Sequence, residues 1–319
     1  MRTGMPEDDT VLAAIELAGR APSVHNSRLW RWRIDDTALH LYADWTRHVP
    51  VTDPDGRDLA ISCGATLHHL RVALAALGWG SVVHRLPHPY DLRHLASVTL
   101  YSRQPRSDDI ALLAAIQNHR CDRRAYSSWP VPDQLIDELR ESAATEGCAL
   151  RLVTDRTGRA ELLAAIVATD RAQREALAQP AVCSGRHAGH RVGVLAASGA
   201  VVHTGPEEDP LQPAETRSDP EAGVLLVVGT SADDVASRLR AGEAASAVLL
   251  RANSFQLASH MLTQPLDVRG IRAGTRRRVL GGELFPQIVL RLGWPHVTAE
   301  PLPTSPRPAV SAISEPLTP

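Results

Sequence analysis

The amino-acid sequence predicts an α+β fold in which two similar halves follow one another in one chain. Helical and extended patterns are mixed throughout its 319 residues. Two Ala-rich helical patterns start at Gly64 and Gly242 and carry apolar side chains at the same offsets of 3, 6, 8, 10 and 13 residues. Spacing alone leaves coincidence open, because any two amphipathic helices could match it. The shared order of helix, turn, strands, Ala-rich helix and strand favours a true duplication.

Composition and charge are those of an ordinary globular protein. Apolar residues make up 44% of the chain and charged residues 22%, and the length allows one large domain or two modest ones. The formal net charge of −2 gives no field that would attract nucleic acid or an anionic membrane. The N-terminus has no apolar run, and no window approaches a membrane span. We therefore expect a cytoplasmic protein without nucleic-acid or membrane partners.

Cysteine and histidine patterns do not predict a metal site. The four cysteines form no Cys-x-x-Cys pair, which argues against a disulfide scaffold or a structural zinc site. Cys183, His187 and His190 are close in sequence and could bind a metal, but no helix fixes their spacing. His68 and His69 would point to different sides of a helix, so we expect them at a surface or an interface.

The first half has one amphipathic segment before its Ala-rich helix. Acidic residues and Thr10 precede an apolar row, which predicts a helix from Val11 to Arg20. Leucines on one face predict the helix Gly64–Leu77. Four strands are predicted in this half, at Trp30–Ile34, Leu39–Ala43, Val82–Leu86 and Ser97–Tyr101.

The second half has more helices and a long Pro-rich insertion. Helices are predicted at Ser107–Asn118, after Pro132, at Thr157–Arg171, from Ser231 to Arg240 and at Gly242–Leu257. Strands are predicted at Ala149–Val153, Val224–Val228 and Pro286–Leu292. The stretch 179–222 predicts an irregular loop that covers a site, with a short helical piece near Val192–Ala197. The Pro-rich tail from Pro301 is expected to run extended along the surface.

Two polar segments are the candidates for ligand binding. Pro22 ends the first helix, and Ser23 and Asn26 are turn formers whose side chains can bond to the backbone or to the edge of a ligand. The basic loop 119–126 contains Arg120 and Arg124, and arginine supplies the forked donors that a phosphate group needs. From the residues alone, an ordinary helix-to-strand turn and a solvated charge run remain open.

Both segments resemble motifs of the nitroreductase family. Pro22-Ser23-x-x-Asn26 with the following Trp30 resembles the family's flavin-contacting turn Pro-Ser-x-x-Asn-x-Gln-Pro-Trp, with Arg-Leu in place of Gln-Pro. The basic loop resembles the motif Arg-Arg-Ser-x-Arg-x-Phe, which grips the phosphate of FMN. With Tyr126 at the Phe position, Arg120 and Arg124 match the first and last arginines. Cys and Asp replace the second Arg and the Ser.

Two further matches extend the resemblance over almost the whole chain. Gly242-Glu243 resembles the family's Gly-rich helix start, which would bring the backbone close to the flavin ring edge. Arg307-Pro308 resembles a C-terminal Arg-Pro, which would add a phosphate contact. The resemblance therefore implies FMN held by Pro22, Ser23, Asn26, Arg120, Arg124, Gly242, Glu243 and Arg307.

The order of the motifs implies a fused pseudo-dimer. In ordinary nitroreductases the arginine loop precedes the Pro-Ser turn, and two identical chains share two FMN sites; here the turn comes first. We therefore expect two nitroreductase-like halves, 1–106 and 107–319, with a single composite site and a monomer or weak homodimer. This arrangement, with the Asp53-Pro54-x-Gly56-Arg57 loop, resembles the actinobacterial Acg branch. In that branch a loop covers the flavin and reductase activity is doubtful; the 179–222 insertion is the candidate cover.

Three functions remain open from the sequence. It contains no Gly-x-Ser-x-Gly elbow, no phosphate-binding Gly-x-x-x-x-Gly-Lys loop and no Gly-x-Gly-x-x-Gly, which disfavours a common hydrolase, a kinase and a Rossmann dehydrogenase. The resemblance implies NAD(P)H-dependent reduction of nitro or quinone compounds on FMN, which needs no catalytic side chain. The alternatives are a flavin-storage protein with little turnover and an interaction protein whose site has decayed.

Overall fold

The computed structural model has the predicted α+β fold, with two large, mainly antiparallel sheets and helices packed between them. The described residues are 5–23, 27–48, 50, 52–178, 191–194, 201–204, 222–268, 270–300, 302 and 309–316. Their α-helices are Asp8–Ala18 (α1), Arg57–Ala76 (α2), Ser107–Asn118 (α3), Asp133–Thr145 (α4), Arg156–Ala178 (α5), Val235–Ser254 (α6) and Ile271–Arg278 (α7).

The strands fall into three sheets. They are Trp30–Ile34 (β1), Ala38–Ala43 (β2), Trp79–Arg85 (β3), His94–Ser102 (β4), Ala149–Leu152 (β5), Arg191–Val194 (β6), Val201–Thr204 (β7), Val224–Thr230 (β8), Ala258–Leu262 (β9), Phe285–Gly293 (β10) and Ser314–Pro316 (β11). The first sheet has the order β11-β1-β2-β4-β3, the second has the order β5-β8-β10-β9, and β6 pairs with β7.

The two large sheets repeat one topology. In each, four antiparallel strands take the order first, second, fourth, third along the chain. In each, one long helix connects the second strand to the third: α2 in the first half and α6 in the second. The same path of the chain thus occurs twice, as the duplication predicts.

The helix and strand boundaries agree with most of the sequence predictions, with four corrections. The helix predicted at Gly64–Leu77 begins earlier, at Arg57. The break predicted between Arg240 and Gly242 is absent: α6 is continuous, and the Asp234 carboxylate caps it by accepting from the Ser237 N–H at 2.7 Å. The helical piece predicted near Val192–Ala197 is wrong where the structure describes it, because Arg191–Val194 is a strand. Strand β9 and helix α7 escaped prediction, since their polar residues mask the apolar pattern.

The C-terminal strand of the second half joins the sheet of the first. Strand β11 lies parallel to β1, and the Trp32 N–H donates to the Ile313 carbonyl at 2.7 Å. Ile313 is buried in the first core, and Arg33 pairs with Glu315 at 2.8 Å. The tail that the sequence analysis expected to run extended is a strand at Ser314–Pro316, but Val310–Ala312 before it is a short 3-10 helix.

Helices α2 and α6 cross at two glycines that occupy equivalent positions. Both helices have 20 residues, with Gly64 and Gly242 at the eighth position. A Cβ on Gly64 would lie 1.9 Å from the Leu239 carbonyl oxygen, and one on Gly242 would lie 1.9 Å from the Ile61 carbonyl oxygen. Each blocking carbonyl belongs to the residue three positions before the opposing glycine. The contact is reciprocal, as at a two-fold axis.

A hydrogen-bonded cluster lies between α2 and α6 beside this crossing. His68 and its equivalent on the other helix, Ser246, are joined at 2.8 Å, and His69 lies at the same distance from the Ser246 hydroxyl. Both histidines are buried between the helices. The interface that we predicted for them is therefore present, and the alternative of a surface position is wrong. Burial lowers the pKa of His68 to about 4.

Among the described helices, only α2 has the length and apolar character that could cross a membrane. It packs against α1, α3 and α6, and most of it is buried, as expected of a core helix. Its N-terminus is tied to the second half through Arg57, which donates to the carbonyls of Gln287 at 2.8 Å and Thr263 at 3.1 Å. The neighbouring Asp58 accepts from the Thr263 hydroxyl at 3.0 Å.

Gly242→Ala tests the helix crossing. The added methyl group meets the backbone of α2, so the helices must separate, and we expect a loss of about 3 kcal/mol or more in the free energy of unfolding. Chemical denaturation measures the loss. The control is Gly274→Ala in α7, where the methyl group meets only the ends of the Arg278 and Glu161 side chains. Equal stability of the two variants would contradict close contact at the crossing.

Asp58→Asn tests the buried carboxyl at the start of α2. Burial raises the pKa of Asp58 from 3.8 to about 7, against the opposing effect of Arg57. The folded protein holds this proton more tightly than the unfolded chain, so the free energy of unfolding falls as the pH rises from about 4 to about 7. Asn does not titrate, so the variant does not lose stability in this way as the pH rises. The melting temperature of the variant relative to wild type should therefore rise by a few degrees across that range.

Asp35→Asn is the matched control for this pH dependence. Burial would raise the pKa of Asp35, but hydrogen bonds from Thr37 and His40 outweigh it and lower the pKa to about 2. The stability that Asp35 contributes is present above about pH 4 and is lost as the pH falls toward 2. Between pH 4 and 7 its melting difference should stay flat. A flat difference for Asp58→Asn as well would refute the raised pKa.

Candidate functional site

The ends of helices α1 and α3 lie side by side. Leu17 near the end of α1 packs with Leu112 and Ile116 of α3 and with Leu250 of α6 in one apolar cluster. Helix α1 leads directly into the Pro-Ser turn, and α3 leads directly into the basic loop. The two segments that the sequence analysis joined into one site therefore start from neighbouring helix ends in different halves.

The Pro-Ser turn is closed by its own serine. The Ser23 hydroxyl oxygen accepts from the Arg28 N–H at 3.1 Å, and Arg28 has a φ of 49°, in the left-handed region. Pro22 and Ser23 are half-buried. Burial and the nearby Arg47 lower the pKa of Arg28 to about 10. Asn26 lies outside the described residues.

Arg120 approaches Arg20, which the sequence analysis did not single out. Burial and the charge of Arg20 lower the pKa of Arg120. The Arg120 Nη1 donates to two carbonyls of its own segment, those of Gln117 at 2.9 Å and His119 at 2.7 Å. Among the described residues, no carboxylate pairs with either arginine. Two guanidinium groups close to one another are a candidate binding site for an anion.

Arg124 is already paired. Its Nε and Nη2 donate to the Asp122 carboxylate at 3.1 and 2.9 Å, and its Nη1 donates to the Glu300 carbonyl at 2.7 Å. The hydrogen bonds to Asp122 raise the pKa of Arg124. A phosphate group at Arg124 would have to share the guanidinium with this carboxylate. Arg120 therefore offers more uncompensated charge than Arg124.

The basic loop is held along the edge strand β9. The Asp122 N–H donates to the Ser259 carbonyl at 2.8 Å, and His119 Nε2 lies 2.9 Å from the Ser259 hydroxyl. At the other end of the strand, Arg57 donates to the Thr263 carbonyl at 3.1 Å. Between these contacts, the described residues supply no partner to the Met261 main chain on this edge. A donor and an acceptor of the sheet edge thus stay available there.

Gly242 and Glu243 lie within α6 and not at a helix start. The start predicted there is wrong, because α6 begins at Val235. Gly242 lies against α2, and the fully buried Glu243 carboxylate accepts from Arg85 Nε at 2.7 Å and from Arg71 Nη1 at 3.0 Å. These contacts give both residues a packing role between the halves. Their contact with a cofactor stays a prediction that this placement does not favour.

The position that corresponds to the Pro-Ser turn in the second half is occupied by ion pairs. The repeated topology matches the turn between α1 and β1 with the turn between α4 and β5. That second turn contains Glu146, which accepts from Arg71 Nη1 at 2.6 Å. Arg71 also contacts Glu243, so the two buried carboxylates and the partly exposed arginines form one network. The two halves thus differ where a second composite site would lie.

Other predicted groups fall elsewhere. Arg307 and the Cys183, His187 and His190 group lie outside the described residues, which themselves contain no cluster of three or more metal-ligating side chains. A cavity of about 630 Å³ lies between α2, α3 and α4. Its arginines pair with acidic residues, and its lining includes neither Ser23 nor Arg120.

No family model matches the chain. Relatives from Mycobacterium tuberculosis (strain H37Rv) match over nearly full length. The chain is 39% identical over 329 residues to "Putative NAD(P)H nitroreductase Rv3131", which covers 99% of this chain and 94% of the relative. It is 32% identical over 322 residues to "Putative NAD(P)H nitroreductase acg", which covers 97% and 96%.

Similar solved structures include a nitroreductase with bound FMN from Bacteroides fragilis, with 16% identity and a TM-score of 0.39 over 61% of this chain and 94% of that one. A second, a putative nitroreductase in complex with FMN from Desulfovibrio desulfuricans, has 17% identity and a TM-score of 0.40 over 65% and 98%. The near full-length identity to the mycobacterial relatives is decisive. The protein belongs to the nitroreductase family, in its Acg-like branch.

Proposed function

We propose that the protein binds FMN between the Pro-Ser turn and the basic loop and passes electrons from NAD(P)H to nitro or quinone acceptors. The observation that carries the proposal is that Arg20 and Arg120, from different halves, lie close enough to interact electrostatically, and that no carboxylate among the described residues pairs with either. A phosphate monoester supplies the missing negative charge. The names of the mycobacterial relatives, which designate NAD(P)H nitroreductases, support the donor and the reaction class.

Different residues of the site would bind different parts of the cofactor. Arg120 and Arg20 would bind the phosphate, with Arg124 in a shared contact and Arg307 as a further candidate. Ser23 and Asn26 would orient the ring. The free main-chain groups of Met261 on β9 offer a donor and an acceptor that suit the polar edge of a flavin. Bound FMN would supply the hydride chemistry, so the protein needs to hold and orient it.

We propose one site per chain. The ion-pair network of Arg71, Arg85, Glu146 and Glu243 occupies the position that the repeated topology matches with the Pro-Ser turn. A buried carboxylate with paired arginines leaves neither free cations nor turn donors for a second FMN. The halves 1–106 and 107–319 would then act as the two chains of a dimer, in a cytoplasmic monomer or weak homodimer.

The alternative is a flavin-storage protein. The long insertion returns to the described fold at Gly223, where a Cβ would lie 2.8 Å from the Tyr126 ring. Tyr126 in turn donates to the carbonyl of Asp122 in the basic loop at 2.8 Å. One end of the 179–222 insertion thus reaches the base of the proposed site. This position suits a cover that shields the flavin from acceptors.

The double variant Arg20→Gln with Arg120→Gln tests the phosphate contacts. Each charge-assisted hydrogen bond contributes about 1.5–3 kcal/mol, so loss of both arginines should weaken FMN binding by about 100-fold or more. Titration of the flavin-free protein, followed by flavin fluorescence, measures the change. Arg277→Gln, at an exposed position of α7, is the control. Unchanged FMN affinity in a folded double variant would exclude these arginines from the site.

Anaerobic reduction separates the two functions and counts the sites. The absorption spectrum of purified, FMN-saturated protein should give one flavin per chain; two per chain would contradict the filled second position. NADH or NADPH should then bleach the bound flavin, and a nitroaromatic acceptor should restore its colour. Bound flavin that neither donor reduces would favour storage. A colourless protein that takes up no FMN would reject both.

A further inference from the structure

The cavity between α2, α3 and α4 lies along the edge strand β3 of the first sheet. In the second half, the equivalent edge strand β9 is covered by the basic loop, where the Asp122 N–H donates to the Ser259 carbonyl at 2.8 Å. Ser81 of β3 is the equivalent of Ser259, since each follows the glycine of its long helix at the same sequence distance. Among the described residues, no segment pairs with the outer edge of β3. At this edge, Ser81 lines the cavity of about 630 Å³.

The main chain of Ser81 points away from its sheet. Before β3, the Gly78 carbonyl accepts from the Arg103 N–H at 3.0 Å. After β3, the Leu86 N–H donates to the Leu95 carbonyl at 2.8 Å. Because residues alternate in an antiparallel pair, the even-numbered residues of β3 bond to β4 and the main chain of Ser81 faces the free edge. The volume and the free main-chain groups of this cavity suit a small ligand.

The cavity lining carries an excess of negative charge. It contains five carboxylates and three arginines, and each arginine pairs with one of these carboxylates. Among the described residues, none forms an ion pair with Glu138 or Glu141, which lie one turn apart on α4. The hydrogen bonds of Arg251 to Asp108, at 2.7 and 2.8 Å, raise its pKa, and the charges of both glutamates act in the same direction. Both terminal nitrogens of Arg251 are thus committed to Asp108, and two carboxylates remain for a cationic ligand.

The wall of the cavity also contains a buried donor that lacks a partner. The Nε of Arg103 is buried without a hydrogen-bond partner among the described residues, although Nη2 of the same side chain pairs with Asp109. A buried donor of this kind calls for an acceptor. Trp79 and Tyr101 line the same cavity, and an aromatic face attracts an organic cation. Negative charge, aromatic surface and one donor therefore occur together.

We propose that this cavity binds a small aliphatic amine that also carries a hydroxyl oxygen. The ammonium group pairs with Glu138 and Glu141 beside the aromatic side chains, and the hydroxyl oxygen accepts from the Nε of Arg103. The equivalent positions in the two halves thus take opposite charges: a cation along β3, and the proposed phosphate beside the basic loop along β9. The inference rests on the repeated topology and on the cavity, and it does not depend on FMN chemistry.

Three small molecules with the same carbon chain test the ligand chemistry. 4-Aminobutan-1-ol has both groups, butylamine lacks the oxygen, and butan-1-ol lacks the charge. Each is titrated at constant ionic strength against sodium chloride, and NMR follows the indole N–H signal of Trp79, which is assigned by its loss in Trp79→Phe. The amino alcohol should bind about tenfold more tightly than butylamine, the usual gain for one hydrogen bond to a charged group, and butan-1-ol should cause no shift.

Two results would overturn the proposal at this stage. Absence of a shift with both amines excludes an amine site in this cavity. A shift with butan-1-ol as large as that with the amino alcohol excludes recognition of the positive charge. Equal binding of the amino alcohol and butylamine overturns the contact with Arg103.

Glu138→Gln tests the carboxylates, because it removes one charge at nearly unchanged size. It should weaken binding of 4-aminobutan-1-ol by about tenfold. Glu283→Gln, at an exposed position before β10, is the control with the same change of net charge and should bind as wild type. An equal loss in both variants would reduce the effect to net charge and overturn the site.

Flavin-free and FMN-saturated proteins are titrated with 4-aminobutan-1-ol in parallel. Equal affinity in both supports a site separate from the flavin. Displacement of the amine by FMN would place a flavin in this cavity and overturn the proposal. Because the flavin-free arm needs no cofactor, failure of the proposed FMN function leaves the result for the amine intact.

Discussion

The close contact of α2 with α6 is the constraint on which the rest of the structure depends. Two glycines let the helix backbones touch, and each glycine is opposed by a carbonyl of the other helix. With the backbones at this distance, the ends of α1 and α3 meet beside α6, and the Pro-Ser turn of one half comes near the basic loop of the other. The composite site that we propose would thus be a consequence of helix packing between the halves.

The two halves share one topology, but their side chains differ at the two equivalent turns. The sheets repeat one topology, so both turns that precede the first strand are present. One turn carries Ser23, which accepts from the Arg28 N–H, and the other carries Glu146, whose buried carboxylate pairs with Arg71. A buried pair contributes less to stability than its short distances suggest, because both charges lose water. Its clearer effect is to place compensated charge between the halves, where Arg71 and Glu146 also line the cavity between α2, α3 and α4.

The sequence was most informative where local pattern determines structure. The hairpin of β1 and β2, helix α3 and most strands of the two large sheets follow from periodicity and turn residues, whereas β9 and β11 do not. The misassigned start at Gly242 followed from treating a glycine as a helix boundary, whereas its role is close packing inside α6. The approach of Arg20 to Arg120 was not predictable, because tertiary contacts between residues far apart in sequence leave no local signal. Strand β9 was not predicted because its polar residues break the apolar pattern.

The pairing of β11, from the second half, with the sheet of the first half has a consequence for biosynthesis. Strand β11 is the final described segment of the chain, and it completes the edge of the sheet formed by the first half. While only the first half has left the ribosome, the β1 edge of its sheet is open and helix α2 lacks its partner α6. Such exposed surfaces invite aggregation until the remainder of the chain arrives. A second half in the same polypeptide therefore supplies the partner, but α6 and β11 become available only after that half has been translated.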